Sequence, residues 1–285
     1  MEGPQHAVCC GSTGWGAVVE RGRLPLGDID DVASPSVARI NNFLLGGKDH
    51  YPADREVCEQ LLRIAPGARR AAEAGHRFLL RVTSRLAREY GVRQFLVFGA
   101  GLPARVGVHQ IAQRVDPRAR VVYADNDSLA LAHARAVWED RRRTMVVRAE
   151  PVQAAHVVFD PPVGRLIDIS QPVAALFVSA LHTVYEPAGL LGHTASLLAP
   201  GSFVAASHLT SQDAVVRQQA TRLLREAAGG RWGRVRSREE VDELFGRLRL
   251  LAPGLVDVSQ WRPGGDRGAE TGPEWAEYGG VACAP

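Results

Sequence analysis

The segment from Gln94 to Asp127 constrains the fold of this chain more than any other. Gln94 to Phe98 is a short apolar run with the length and composition of a buried strand. It leads directly into Gly99-Ala100-Gly101, where glycine permits a sharp turn and the close approach of a ligand to the backbone. Pro103 suits the first turn of a helix that we expect to follow at once. The pattern predicts a strand, a glycine loop and a helix in direct succession.

A second apolar run, Val121 to Ala124, predicts the next strand. Asp125 stands at its end, 24 residues after Gly101. In nucleotide-binding α/β folds a carboxylate at this position accepts hydrogen bonds from ribose hydroxyls. The backbone N–H groups at the start of the preceding helix would face a polar or anionic group. The unit therefore indicates a nucleoside ligand, and its GAGLPA loop fits dinucleotide folds as well as adenosyl-cofactor folds.

The composition is that of a globular chain with a sizeable core. Of its 285 residues 46% are hydrophobic, and the formal net charge at pH 7 is +3. So small a charge gives no reason to expect nucleic acid as a partner. The sequence contains no apolar stretch of about 18 residues, so we expect no membrane span, and its start lacks a secretion signal pattern. The four cysteines lack the spacing of a zinc site, which predicts a reduced, cytoplasmic protein without a metal.

The residues before the first strand predict a tail followed by a helical cap. Residues 1–33 are rich in glycine and other small residues and predict a flexible tail. Ser34-Pro35 is a favourable helix start, and apolar residues then recur at helical spacing. We expect residues 34–90 to form a cap or lid over residues 91–285, the nucleotide-binding domain. Ligand crevices of open α/β sheets lie at the carboxyl ends of the strands, where such a cap would sit.

A glycine pair, Gly46-Gly47, interrupts this cap and is followed by Lys48-Asp49. Lys48 is the single lysine among 34 basic residues. This bias suggests a GC-rich genome, in which a retained lysine is either needed as a compact ammonium or present by chance. We expect Lys48 and Asp49 to close over the cofactor.

The segment PSVARINNFLLGGKDHYPADRE, which begins at Pro35, is similar to the opening signature of a known family. The similarity continues through RQFLVFGAGLPA, VVYADND, PVAALFVSALHTV, LAPGSFVAASH and YGGVA. Over residues 34–283 the chain resembles the actinobacterial S-adenosylmethionine-dependent methyltransferase family (Methyltransf_19, formerly DUF574). The resemblance implies S-adenosylmethionine binding and a class I methyltransferase fold. Such a fold is a Rossmann-like α/β domain with a mostly parallel seven-stranded sheet and an antiparallel last strand, here with an N-terminal helical cap.

The chain departs from the family's pattern in three places. Ala100 replaces a threonine of the glycine loop, Asn41-Asn42 replaces a Tyr-Asp pair, and Glu150-Pro151-Val152 replaces an Asp-Leu-Arg segment. These departures support one alternative, a protein that keeps the fold but acts through partners without methyl transfer. The other alternative, a nicotinamide-dependent oxidoreductase, would use a Tyr-x-x-x-Lys pair or another proton relay. The position of Lys48, the single lysine, before the nucleotide-binding domain excludes the Tyr-x-x-x-Lys pair.

Candidate site residues lie where predicted strands end. Ser179 to His182 follows the apolar fourth strand, and His182 is the candidate general base because imidazole exchanges a proton near neutral pH. A histidine that only hydrogen-bonds a loop or the cofactor is the open alternative, and His208 is a weaker candidate. The expected methyl acceptor is a small molecule. The predicted cofactor-binding residues are Lys48, Asp49, Gly99, Ala100, Gly101, Asp125, Asn126, Glu150, Pro151 and Ser179.

Overall fold

The computed structural model describes residues 33–104, 106–263, 272 and 274–285. The predicted tail and a predicted polar loop from 264 to 272 lie almost entirely outside these residues. The helices are α1 Val37–Leu44, α2 Pro52–Ile64, α3 Ala68–Glu89, α4 Val108–Val115, α5 Ser128–Val137, α6 Ala154–Phe159, α7 Pro161–Gly164, α8 Leu190–Ser196, α9 Ala214–Ala227 and α10 Arg238–Phe245. The strands are β1 Gln94–Phe98, β2 Arg120–Asp125, β3 Thr144–Arg148, β4 Ala174–Phe177, β5 Phe203–Thr210, β6 Arg249–Leu250, β7 Val256–Asp257 and β8 Ala276–Cys283. Within this part of the chain, no helix combines the length and apolar character that a membrane crossing requires.

The strands form one sheet in the order β3-β2-β1-β4-β5-β8-β6, and β7 also pairs with β8. The first five strands are parallel, whereas β8 runs antiparallel to β5. Both β6 and β7 are antiparallel to β8, and together they fill a seventh position in the sheet. The arrangement confirms the predicted mostly parallel sheet with an antiparallel last strand. The apolar character of residues 250–258 predicts one strand there, but the structure has the two short strands β6 and β7 instead.

Helices cover both faces of the sheet, as the apolar character of its central strands requires. On one face Phe78, Val82 and Leu86 of α3 pack in the same buried cluster as β1. On the other face α8 and α10 contribute Leu191 and Leu244 to a second cluster. The second half of α3 therefore packs on the sheet, although the sequence analysis assigned all of residues 34–90 to the cap.

A third buried cluster joins α1, α2, the first turns of α3, and α9, which follows β5. Within it, Arg39 Nε lies 2.8 Å from Asp54 Oδ2, and both side chains are buried. The carboxylate of Asp54 also accepts hydrogen bonds from the N–H groups of Ser36 and Tyr51. A buried ion pair is costly to break because the remaining charge would be left unpaired, so this one fixes α1 against α2. Ser36 rather than Ser34 caps the helix.

Two predicted elements differ in the structure. Helix α4 begins at Val108, not near Pro103, and its first N–H groups are used within the protein. His109 N donates to Tyr123 Oη at 3.0 Å, and Gly107 N donates to Gln110 Oε1 at 2.9 Å. This helix start therefore faces a polar group of the protein itself, the Tyr123 hydroxyl, in place of an anionic ligand. The segment from 152 to 172, expected to be irregular, contains the short helices α6 and α7.

Candidate active site

A cavity of about 590 Å³ lies between the carboxyl ends of the parallel strands and helix α1. Pockets for small ligands span roughly 300–1,000 Å³, so its size is that of a binding site. Tyr185 is 56% exposed and Val152 49% exposed, and both mark the mouth of the cavity. The sequence-predicted residues that line it are Gly99, Gly101, Asp125, Asn126, Glu150, Pro151, Ser179 and His182.

The glycine loop has the backbone conformation that its composition predicts. Gly99 has φ 68° and Gly101 has φ 65°, values that favour glycine. A Cβ atom on Gly99 would lie 2.8 Å from Ala180 Cβ, so the loop packs tightly on the segment after β4. A Cβ on Gly101 would meet no described atom within 4 Å. The space over Gly101 therefore fits the close approach of a cofactor to the backbone.

Asp125 connects this loop to the end of β2. Its Oδ2 accepts a hydrogen bond from Gly101 N at 2.7 Å, and its Oδ1 accepts one from Asp127 N at 2.9 Å. Burial raises the pKa of Asp125 to about 6, although these backbone N–H groups oppose the shift. Each carboxylate oxygen has a second lone pair, so Asp125 can still accept from ribose hydroxyls.

Asn126 and Glu150 meet at the edge of the cavity, after β2 and β3. Asn126 Nδ2 donates to Glu150 Oε1 at 3.1 Å. Asn126 thereby holds the carboxylate of Glu150, whose other oxygen can accept a further hydrogen bond. We call Gly99, Gly101, Asp125, Asn126 and Glu150 the glycine-loop end of the cavity. Its donors and acceptors suit an adenosyl group.

Three predicted cofactor ligands lie outside the lining that the described residues form. Lys48 and Asp49 are exposed, and Ala100 packs against the main core. The loop that carries the first two is organised by Asn42, whose Oδ1 accepts from Asp49 N at 3.0 Å. A Cβ on Gly47 would lie 2.4 Å from the Asn42 amide, which explains this glycine. Cofactor binding by Lys48, Asp49 and Ala100 stays a prediction.

His182 lies at the other end of the cavity. Its ring packs against Trp232 with centroids 4.8 Å apart, and its Nδ1 has no hydrogen-bond partner among the described residues. Burial, and then the nearby Arg236 guanidinium, lowers the pKa of His182 to about 3. The imidazole is therefore neutral at pH 7 and a weak proton acceptor. Its role as general base stays a prediction, and the low pKa weighs against it.

His208 is used within the fold. Its Nδ1 lies 2.8 Å from Leu209 O, and its Nε2 lies 2.8 Å from Arg236 Nη1. Because a guanidinium only donates, Nε2 accepts and Nδ1 carries the proton. Arg236 Nη2 also donates to Tyr185 O at 2.7 Å. Both ring nitrogens are therefore engaged, and His208 serves to hold Arg236.

Glu277 is a site residue that the sequence analysis missed. It lies on β8, opposite Leu209 of β5, lines the cavity and is only 1% exposed. Burial raises the pKa of Glu277 to about 7, while hydrogen bonds from the hydroxyls of Ser207 and Ser179 lower it. Ser179 has φ 54°, a strained conformation of the kind that accompanies functional sites. A lone acid within the apolar strand WAEYGGVACA was the available signal.

Two indole groups complete this end of the cavity. Trp232 and Trp275 are buried and line it. In the described part of the chain, Trp232 Nε1, Trp275 Nε1, His182 Nδ1 and Glu277 Oε2 all lack hydrogen-bond partners. Buried polar atoms are rarely left unpaired. Five of them, these four and Nη1 of the lining residue Arg39, belong to residues around this one cavity, a setting that suits a polar ligand. We call Trp232, Trp275, His182 and Glu277 the tryptophan end. Its described residues include no group of three or more His, Cys, Asp or Glu that could hold a metal.

The sheet order, the antiparallel β8 and the glycine-loop end together define a class I S-adenosylmethionine-binding fold. The model of a protein family described as S-adenosyl methyltransferase matches residues 27–285 of this chain. The chain belongs to this family. It is a methyltransferase, and its cofactor is S-adenosylmethionine.

Solved structures support the assignment. A candidate methyltransferase from Thermobifida fusca YX is 33% identical, with a TM-score of 0.82, over 92% of this chain and 99% of its own. A DUF574 family protein from Streptomyces avermitilis MA-4680 is also 33% identical, with a TM-score of 0.80, over 90% of this chain and 99% of its own. The comparison with curated proteins found no match.

Proposed function

We propose that this methyltransferase acts on a small molecule in the cytoplasm of an actinobacterium. The observation that carries the proposal is the cavity, in which α1 covers the carboxyl ends of the strands. A site between a cap and a sheet suits an acceptor that enters through the mouth near Tyr185. A macromolecular acceptor would need an open face. The 33 arginines beside a single lysine fit a GC-rich actinobacterial genome.

The glycine-loop end is the proposed cofactor site. Asp125 accepts hydrogen bonds from the ribose hydroxyls, and Glu150, held by Asn126, accepts one from the adenine amino group. The loop at Gly99 and Gly101 contacts the methionine part. Pro151 and Ser179 add contacts on either side of these groups.

When bound, the cofactor supplies an electrophilic methyl group on a positively charged sulfur. The chain's contribution is to hold the acceptor in line with that methyl and to keep water out. The tryptophan end adjoins the glycine loop through the Gly99–Ala180 contact, so it is the proposed acceptor site.

Two measurements on the pure protein test the proposal. Calorimetry should detect S-adenosylmethionine and S-adenosylhomocysteine but not NAD. Incubation with methyl-labelled S-adenosylmethionine and cell extract, followed by ultrafiltration, should then place the label in the small-molecule fraction. Label retained with protein or nucleic acid would contradict a small-molecule acceptor. Cofactor binding without any transfer would favour the alternative of a non-enzymatic binder.

A further inference from the structure

The setting of Glu277 is the starting observation. Burial of a carboxylate costs free energy unless its oxygens are well bonded. Here the hydroxyls of Ser179 and Ser207 contact the carboxylate, and Oε2 has no partner within the described residues. Helix α3 passes this point with Gly75, whose Cβ would lie 2.5 Å from Ser179 Oγ and 3.4 Å from Glu277 Cδ. The fold therefore makes room for a buried carboxylate on the cavity wall.

The rest of the tryptophan end selects among ligand chemistries. Its walls are apolar, with Leu61, Ala72, Leu209 and Leu224 around the two indole rings. The indole N–H groups donate only, so the ligand needs lone pairs to accept from them. An ammonium group has none, and a carboxylate would be repelled by Glu277. An apolar molecule with a hydroxyl group supplies both partners, because its oxygen accepts from an indole N–H and its O–H donates to Glu277 Oε2.

The acidity of the ligand's hydroxyl group distinguishes a phenol from an aliphatic alcohol. Burial, opposed by the two serine hydroxyls, raises the pKa of Glu277 to about 7. A phenol has a pKa of about 10, as in tyrosine, which is roughly three units higher. An aliphatic hydroxyl is closer to bulk water, whose pKa is about 15.7. Proton transfer to Glu277 is therefore accessible for a phenol and remote for an alcohol.

We propose, on the basis of the function proposed above, that Glu277 is the general base for a phenolic acceptor bound at the tryptophan end. Glu277 Oε2 takes the hydroxyl proton while a lone pair of the phenol oxygen forms the bond to the methyl carbon. The carbon–sulfur bond breaks, and its electron pair stays on sulfur. Methyl ether, S-adenosylhomocysteine and protonated Glu277 result. The negative carboxylate and positive sulfonium are both neutralised, and the proton passes to solvent as the products leave.

Four compounds with one naphthalene body test the acceptor class on the full-length protein with methyl-labelled S-adenosylmethionine. They are 2-naphthol, 2-naphthylmethanol, 2-naphthoic acid and 2-(aminomethyl)naphthalene. Transfer to 2-naphthol should be at least about tenfold faster than to the others. Faster transfer to another member, or no transfer to 2-naphthol while S-adenosylhomocysteine binds, overturns the phenol assignment. Failure to bind S-adenosylhomocysteine would instead refute the proposed function itself.

Variants test the base. Glu277→Gln should lower turnover of 2-naphthol about 100-fold or more, with KM and S-adenosylhomocysteine affinity within about threefold. The matched control is Glu274→Gln, which removes an exposed carboxylate three residues away and outside the lining, and it should leave turnover unchanged. His182→Ala should lower turnover less than about tenfold, because a neutral imidazole only positions the hydroxyl. A larger loss in His182→Ala than in Glu277→Gln would transfer the role to His182 and overturn the proposal.

The pH profile is a second readout. Turnover of the natural protein should rise through pH 7 as Glu277 ionises. Asp257 on β7 is the charged group that also raises this pKa, while α3, β5 and the end of β4 present Gly75, Ser207 and Ser179. If Glu277→Gln does not fold, Glu277→Asp is the variant to use, because it keeps the charge but withdraws the carboxylate from the cavity. The pH dependence of its turnover should differ from that of the natural protein. A profile that stays identical in Glu277→Asp overturns the proposal.

Discussion

The two ends of the cavity are built in different ways. At the glycine-loop end, polar groups of Gly101, Asp125, Asp127, Asn126 and Glu150 bond to one another before any ligand is present. At the tryptophan end, four buried polar atoms of described residues lack such partners. The first end is preorganised for one cofactor. The second end keeps unpaired polar atoms that a bound methyl acceptor can engage in hydrogen bonds.

The two ends also differ in what their polar groups contribute to the free energy of folding. Preorganised hydrogen bonds stabilise the folded chain and lower the cost of binding. Unpaired buried groups destabilise the folded chain until a ligand satisfies them. We therefore expect changes at the glycine-loop end to weaken both folding and cofactor binding. Replacing the buried Glu277 carboxylate at the tryptophan end by a neutral amide should reduce turnover and leave stability unchanged or improved.

The largest effect is expected for Gly99→Ala. The left-handed conformation costs a residue with a side chain about 1–2 kcal/mol, and the new Cβ would also lie 2.8 Å from Ala180 Cβ. Both the glycine loop and the segment carrying Ser179 would have to move. We expect cofactor affinity to fall about 100-fold, with a loss of stability of about 2–4 kcal/mol. Calorimetry and denaturant unfolding measure the two.

Gly101→Ala is the matched comparison. Gly101 also has a positive φ, but a Cβ at this position would meet no atom of the described residues within 4 Å. Its stability should therefore fall by no more than about 1–2 kcal/mol. Its cofactor affinity should fall despite this small loss of stability, because the Cβ of the new alanine would occupy space that the cofactor needs. Equal stability losses in both variants would mean that the Gly99–Ala180 contact does not constrain the loop.

In contrast to the two glycine substitutions, Glu277→Gln should increase the stability of the protein. Burial keeps the pKa of Glu277 near 7, above the ordinary value of 4.5, so the folded state prefers the protonated acid. The resulting destabilisation is absent below pH 4.5, grows as pH rises, and is complete above pH 7. We expect Glu277→Gln to be about 3 kcal/mol more stable than the natural protein at pH 8 and unchanged at pH 4. Denaturant unfolding at both values checks this, and equal stability at pH 8 would contradict a raised pKa.

The sequence predicted these two ends unequally. Gly99, Gly101 and Asp125 lie within one strand–loop–helix–strand unit, so their meeting follows from local pattern. Glu277 meets Ser207 and Ser179 only through the antiparallel pairing of β8 with β5 and the absence of a side chain at Gly75. These are long-range contacts that no local pattern specifies.

The start of α4 shows the same limit on a smaller scale. Pro103 and the glycine loop favour an immediate helix, yet the helix begins at Val108. Its first N–H groups are satisfied by the hydroxyl of Tyr123 on the next strand, which also bonds to the His109 ring. Local propensity fixed the order of the elements, and the tertiary partner decided where the helix begins.

A smaller effect is expected for Asp125→Asn. The change keeps the shape of the side chain and removes a charged acceptor, so S-adenosylhomocysteine should bind about tenfold more weakly at pH 8. Because burial raises the pKa of Asp125 to about 6, affinity of the natural protein should rise with pH up to about 7 and then level off. The variant should lack this dependence in calorimetry. Asp116→Asn, at the C-terminal end of α4 and outside the cavity lining, is the control and should bind like the natural protein. If Asp125→Asn binds equally well, the carboxylate is not the ribose ligand.

The smallest effect on cofactor binding is expected in the cap. Here the prediction distinguishes helix α1, which lines the cavity, from the loop at 46–50, which does not. Helix α1 lines the cavity, and Ser36 Oγ donates to Asp127 Oδ2, which joins the cap to the loop after β2. Lys48 is exposed and lies outside the lining. S-adenosylhomocysteine should therefore increase hydrogen-exchange protection across 37–44 but not across 46–50. Lys48→Arg should change affinity less than about twofold, since an exposed charge contributes little. Protection across 46–50 with impaired Lys48→Arg would instead show that the loop closes over the ligand, and would extend the glycine-loop end into the cap.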